Sequence, residues 1–351
     1  MPKRLLIAVA ALAALLALPS LAGATIAYTE SGTLKSPPNL PIMIADDDGT
    51  GVRAIGQSGL YPMISPDGKT IAYTYIANAK KYTQELRFVT IATGVMVDTN
   101  LSCSGPKWAP NSSAVACAMT SFSKKGVLTG MGINTVTPSG TATIILPSVG
   151  VATSGYDWSP DSSKIVWGQM SLNAKSTTGV LRWLNADGSG AVGKLGPGGA
   201  PVWGPSKIAF TRTTHAIAGG APMLHSQIWT VDPAAGPSSA AQLTSYAAKG
   251  MIEGPAPFAW TPDGTRIVGQ IVGEDYIQPV YINATTGRIR DFGPANAEPQ
   301  AVSADGTQAL VITNLLGGTK QPAYVAPLAK MSSELFLKDA ASISVTANWN
   351  P

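Results

Sequence analysis

Residues 155–168 read GYDWSPDSSKIVWG, and five other stretches repeat the design: YPMISPDGKTIAYT (61–74), GPKWAPNSSAVACA (105–118), APVWGPSKIAFT (200–211), PFAWTPDGTRIVGQ (257–270) and PQAVSADGTQALVI (299–312). The shared position is Ile64, Trp108, Trp158, Trp203, Trp260 and Val302, at intervals of 44, 50, 45, 57 and 42 residues. In Ser65-Pro66-Asp67-Gly68 the serine opens a turn, proline presets φ and glycine closes it. Thr261-Pro262-Asp263-Gly264 does the same, whereas Asn111 and Asp161 take the acidic place and Ser112 and Ser162 replace glycine. Aromatic and β-branched runs flank every turn, so each stretch predicts a hairpin. The return run, such as Lys164-Ile165-Val166-Trp167, is apolar enough to predict burial on both faces. Its aspartates are turn formers, not catalytic acids.

A second turn follows in most units: Asp46-Asp47-Asp48-Gly49, Thr137 to Gly140, Asn185 to Gly188, Asp232 to Gly236 and Asn283 to Gly287. The triple aspartate is not a calcium loop of the EF-hand kind, which needs Glu at its twelfth position, where this chain has Gln57. Two hairpins per period of 40–50 residues match a four-stranded propeller blade.

These residues carry a resemblance. Pro-Asp hairpins preceded by Trp, each followed by an Asx-rich turn, resemble the WD40-like Pro-Asp repeats of TolB-like β-propellers. The likeness spans nearly all of residues 25–351. Gly204-Pro205-Ser206 has lost the Asp, and Ala304 stands in place of Pro. The resemblance implies an all-β propeller that mostly binds other molecules, without naming the ligand. The ends suggest the blade count. Thr25-Ile26-Ala27-Tyr28-Thr29 resembles a return strand, and the segment around Trp349 resembles the opening of a repeat. The expectation is a seven-bladed β-propeller closed by pairing of N- and C-terminal strands, or six blades if Trp349 is coincidental.

Composition bounds the function. The chain has 351 residues, with 24 Lys+Arg against 20 Asp+Glu, and two of the basic residues, Lys3 and Arg4, lie in the first 24. So balanced a domain argues against a nucleic-acid partner. With 45% hydrophobic residues, 37 Gly and 27 Pro, the chain suits short strands and many turns. Residues 1–24 hold Lys3 and Arg4, an apolar run from Leu5 to Leu18 and Ala22-Gly23-Ala24, the three parts of a secretory signal peptide. The run is shorter than the ~20 residues of a membrane span. An exported (periplasmic, cell-wall associated or secreted), soluble and monomeric protein is expected, with no membrane span. In an oxidising compartment Cys103 and Cys117 are candidates for a disulfide across their hairpin, and two buried thiols are the alternative.

Candidate binding residues come from the loops at the end of the sheets away from the Pro-Asp turns: Lys80, Lys81, Lys124, Lys125, Lys175, Arg212 and Lys320, with Glu274 and Asp275 reversing the sign in one unit. Such a basic rim would draw a protein or an anionic cell-envelope ligand. The longest loop, Thr211 to His225, carries both histidines at a spacing that suits no metal, so no metal and no cofactor is expected. Segments between units place Tyr61, Lys107, Asp157, Glu253 and Glu298 near the channel mouth. No Gly-x-Ser-x-Gly elbow is present for a peptidase. The sequence therefore predicts a non-catalytic binding or scaffolding module. The alternative is a small-molecule or carbohydrate-processing enzyme (lyase, lactonase or hydrolase) working in the central channel.

Overall fold

A computed structural model describes residues 25–30, 39–78, 83–172, 179–218, 221–248, 250, 252–313, 321–338, 340, 342–347 and 349. Residues 1–24, read above as an export signal, lie outside them. The described residues form 27 strands and one short 3-10 turn, Pro237–Ser239. The chain is all-β.

The simplest sheet shows the plan. Strands Val151–Trp158, Lys164–Ser171, Val180–Asn185 and Gly193–Pro197 follow one another in space as in sequence, each antiparallel to the last. The Trp108 and Val302 units repeat this four-stranded order. Strand Arg53–Ile64 is shared between two units. Its first half pairs with Leu40–Ala45 through Ile44↔Arg53, and its second half with Thr70–Asn78 through Ile64↔Ile71. That continuity gives a seven-stranded sheet, which begins at Ser342–Val345 paired with Ile26–Thr29.

Alternation explains the apolar return strands. Ile165 and Trp167 point into a cluster with Ala116 and Ile133 of the preceding unit, whereas Val166, between them, packs with Ile208 and Phe210 of the following one. A strand has a side-chain period of two, so only a run apolar at every position can serve two neighbours. The same division recurs in seven apolar clusters, each drawn from two successive units. Leu310 and Ile312 pack with Ile26, Tyr28 and Ile343, and Ala27 and Ile44 pack with Ile64 and Ile71.

The tryptophans before the Pro-Asp turns tie units together. The Trp108 Nε1 donates to the Met63 carbonyl at 2.7 Å, the Trp158 Nε1 to the Lys107 carbonyl at 2.9 Å, and the Trp260 Nε1 to the Val202 carbonyl at 3.1 Å. In each case the acceptor comes from the first strand of the preceding unit. Phe88 packs edge-on against Trp108, ring centroids 5.7 Å apart.

Two expectations change. Val345, 43 residues after Val302, takes the place expected of Trp349: it ends its strand opposite Ile26, as Trp108 ends its strand opposite Val115. Trp349 lies beyond that strand, fully buried against Phe336, with its Nε1 donating to the Asp47 carbonyl at 3.1 Å. The described residues of the segment Thr211 to His225 belong to a long hairpin, not an irregular loop. Ile208–Ala218 and Ala221–Val231 stay in register from Ile208↔Val231 to Ala218↔Ala221. Its β-branched run, Thr211, Thr213, Thr214 and Ile217, favours extended backbone.

Candidate functional site

Each Pro-Asp turn is held first by bonds among its own residues. The Ser65, Ser159, Thr261 and Ser303 hydroxyls donate to Asp67, Asp161, Asp263 and Asp305 at 2.5–2.7 Å, and a backbone N–H two residues beyond each aspartate donates to the same carboxylate. Hydrogen bonding to the charged form holds Asp161 and Asp263 down at about 2. Ser112 and Ser162 adopt φ of 62° and 63°, the conformation glycine takes elsewhere. Their hydroxyls accept from the N–H groups of Asp67 and Asn111 in the preceding turns at 3.1 and 3.0 Å. That link offsets the left-handed backbone cost. Asp46 to Gly49 is likewise a turn, with the Asp48 carboxylate accepting from the Thr50 N–H and hydroxyl.

The first strand of each of the six repeats carries a register shift within the five residues before the shared position. At this bulge Tyr61, Gly105, Gly155 and Ala200 have φ of 50°, 59°, 100° and 46°. Tyr61 is half exposed there.

Two of the expected channel-mouth carboxylates are buried and engaged. Asp157 accepts from the Trp158 N–H at 2.8 Å and the Trp203 N–H at 2.7 Å, and its Oδ1 lies 2.7 Å from the Lys107 Nζ. One side chain thereby joins three successive units, and towards Trp203 it takes the place of the tryptophan-to-carbonyl tie made by Trp108, Trp158 and Trp260. Glu253, 3% exposed, begins strand Ile252–Trp260. Its Oε1 accepts from the Tyr246 hydroxyl at 2.5 Å and from the Tyr276 hydroxyl, and its Oε2 from the Gly250 N–H at 2.7 Å. Burial and the bonded carboxylate push both phenols above their usual range, so they remain donors. The His225 Nε2 contacts the Gly250 carbonyl at 2.9 Å. This arrangement exists because the long hairpin runs parallel to the next first strand, with His225 beside Glu253. A cavity of about 150 Å³ adjoins it, lined by Val272, Glu274, Asp275, Tyr276, Ile277 and Asn296. Glu298 lies on the first strand of the next unit, Ala297–Val302, opposite Ile312. Sequence reasoning singled out Glu253 but missed Tyr246 and Tyr276, which come from two separate connections and form no motif.

The basic rim is only partly described. Lys80, Lys81, Lys175 and Lys320 lie outside the described residues. Lys124 and Lys125 are exposed in the turn after Val115–Phe122. Arg212 belongs to a different sheet and is turned to structural use. Its guanidinium lies 3.9 Å from the centre of the Trp229 ring, and its Nε donates to the Pro197 carbonyl at 2.9 Å. The two cysteines stand as free thiols. Cys103 and Cys117 are buried thiols in one apolar cluster with Phe88 and Trp108. Cys117 sits within its strand opposite Asn134 and Cys103 precedes the strand that starts at Ser104, and the two side chains are in hydrogen-bonding contact. Burial raises the Cys103 thiol well above its usual range.

Comparison with solved structures bears on this architecture. The propeller domain of the trilobed protease from Pyrococcus furiosus, which has an open velcro topology, superposes with a TM-score of 0.63 at 12% identity, over 90% of this chain and 93% of that one. The fold is a β-propeller. TolB from Acinetobacter baumannii matches at a TM-score of 0.53 and 16% identity, with 92% of this chain spanning 65% of the TolB chain. An oligogalacturonate lyase from Vibrio parahaemolyticus matches at 0.57 and 13%, over 90% and 87%. No protein-family model and no curated protein sequence matches the chain. Identities this low carry the TolB-like propeller fold and nothing about activity. Among the described residues no helix is long and apolar enough to cross a membrane.

Proposed function

We propose that the protein is an exported, non-catalytic propeller that binds a protein or an anionic envelope component through the loop end bearing Lys124 and Lys125. The observation that carries this reading is the use made of the buried carboxylates. Asp157 ties three first strands together, and Glu253 is filled by two phenols and a backbone N–H, so both act as structural pins. A general acid or base needs a lone pair or proton aimed at a substrate. Export rests on the character of residues 1–24. The ring itself is proposed to have seven blades, closed where Ile26–Thr29 pairs with Ser342–Val345. Seven inter-unit clusters, the last of which returns to the first unit, support that count.

One observation favours a second reading, an enzyme of small molecules or carbohydrates. The Glu253–Tyr246–Tyr276 group adjoins a cavity and sits at the start of a first strand. Two variants separate the readings. Lys124→Glu with Lys125→Glu should abolish capture of envelope components by the immobilised protein, and Glu253→Gln should leave capture intact. Turnover of polyuronides, esters or lactones by the wild-type chain, lost in Glu253→Gln, would overturn the binding reading.

A further inference from the structure

The Trp260 unit carries a second feature, at the opposite end of the sheet from Lys124 and Lys125. Strands Arg266–Val272, Ile277–Asn283 and Ile289–Asp291 are neighbours, and their register sets Tyr281 opposite both Val268 and Arg290, and Arg266 opposite Asn283. Residues at alternate positions share a face, so Arg266, Tyr281 and Arg290 lie together. The turn after Asn283 adds Thr286 and Arg288. These six side chains line an open groove of about 420 Å³.

The groove presents donors. Arg288 and Arg290 are exposed, and none of the ion pairs among the described residues involves them or Arg266. Arg266 lies over the Tyr281 ring, 5.3 Å from its centre, which orients the guanidinium from below. The acceptor capacity of the turn is already committed. The Asn283 Oδ1 accepts from the Thr285 N–H, the Thr286 N–H and the Thr286 hydroxyl, so its amide offers the groove only N–H groups. Three guanidiniums and one amide face the groove; the Asp263 carboxylate feels the Arg266 charge but makes no ion pair with it, and Arg288 and Arg290 keep theirs. Planar five-donor guanidiniums match the paired oxygens of carboxylates and phosphates. A neutral sugar or a cation would find little here to complement it.

The geometry points to an oxyanion-binding site in this groove, selective for ligands that carry at least two carboxylate or phosphate groups close together. Three positive charges spread over one concave surface exceed what a single monovalent anion can neutralise. Volume is consistent with small-ligand sites, which run from roughly 300 to 1,000 Å³. This site is independent of the binding reading proposed above, because it lies at the other end of the propeller and uses none of the same residues.

The test is calorimetric titration of the full chain with citrate and with tripolyphosphate, the two arms separating carboxylate from phosphate, alongside acetate and maltotriose. At least one polyanion should bind, more weakly as salt rises from about 0.05 to 0.5 M, and acetate and maltotriose should not. Arg288→Gln with Arg290→Gln removes two exposed charge-assisted partners and should weaken binding at least ~10-fold. An unchanged melting temperature would show that the variant is folded. Lys194→Gln, which removes an exposed charge on the Trp158 unit, should bind like wild type. Binding of neither polyanion, or equal binding by the arginine double variant, would overturn the site.

Discussion

Trp349→Ala tests the joint between the chain ends most directly. Trp349 is completely buried, packs edge-on against Phe336 with ring centroids 6.2 Å apart, and donates to the Asp47 carbonyl. Its own carbonyl accepts from the Ala304 N–H at 2.8 Å. Truncating a buried tryptophan costs about 3–5 kcal/mol, and the orphaned Asp47 carbonyl adds about 1 kcal/mol. Unfolding entropy for a domain of this size is about 0.7 kcal/mol per kelvin, so Tm should fall by about 6–9 °C. Scanning calorimetry reads this directly. A companion variant, Ser344→Ala, removes the acceptor of the Ile64 N–H at 2.8 Å and the donor to the Pro62 carbonyl at 3.0 Å. Both bonds are buried, so the cost is about 2 kcal/mol, and Tm should drop by about 3 °C. If both variants melt within about 1 °C of wild type, the last residues do not hold the circle and the closure is wrong.

Three further outcomes are expected. Gly155→Ala should destabilise more than Gly105→Ala in urea unfolding. Gly155 has φ of 100°, outside the left-handed well, and a Cβ would meet the Ala200 Cα at 3.4 Å, whereas Gly105 sits at 59°; about 2 against about 1 kcal/mol is the expected contrast. On acidification Tm should hold down to about pH 4 and then fall towards pH 2. Asp161 and Asp263 have folded-state values lowered to about 2, so their contribution is present above the unfolded carboxylate range and is lost as pH drops through the folded values. Ser159→Ala, which removes one of the bonds on Asp161, should blunt that loss. Ellman's reagent should leave both cysteines of the native protein unreacted and titrate two thiols after denaturation without reductant; titrating none would show a disulfide after all.

The repeat made the architecture legible. Trp108, Trp158 and Trp260 flag the units because an indole N–H reaches a neighbouring unit's carbonyl, a demand that recurs with the period. Turn residues were equally plain, since Asp67, Asp161, Asp263 and Asp305 bond within two residues of themselves. What the sequence hid depends on contacts between units. Glu253 gains its phenols only because the hairpin ending at Val231 lies parallel to the next first strand, and Tyr246 and Tyr276 then arrive from separate connections. Trp349 misled by sitting near a repeat boundary while Val345 took the strand position. The arginine groove left a faint signal, Arg288-x-Arg290, which becomes informative only once Tyr281 is known to stand opposite Arg290.

The pairing of Ile26–Thr29 with Ser342–Val345 has a consequence for biogenesis. The first of these strands leaves the ribosome some 300 residues ahead of the second, and joining ends so distant costs about 5 kcal/mol of chain entropy. Until Ser342–Val345 emerges, Ile26–Thr29 is an apolar ribbon with one unpaired edge, the kind of template on which nascent chains stick to one another. Synthesis is therefore vulnerable to whatever delays Ser342–Val345, and a holdase that shields Ile26–Thr29 until then would raise the yield more than one acting on a strand whose partner follows at once.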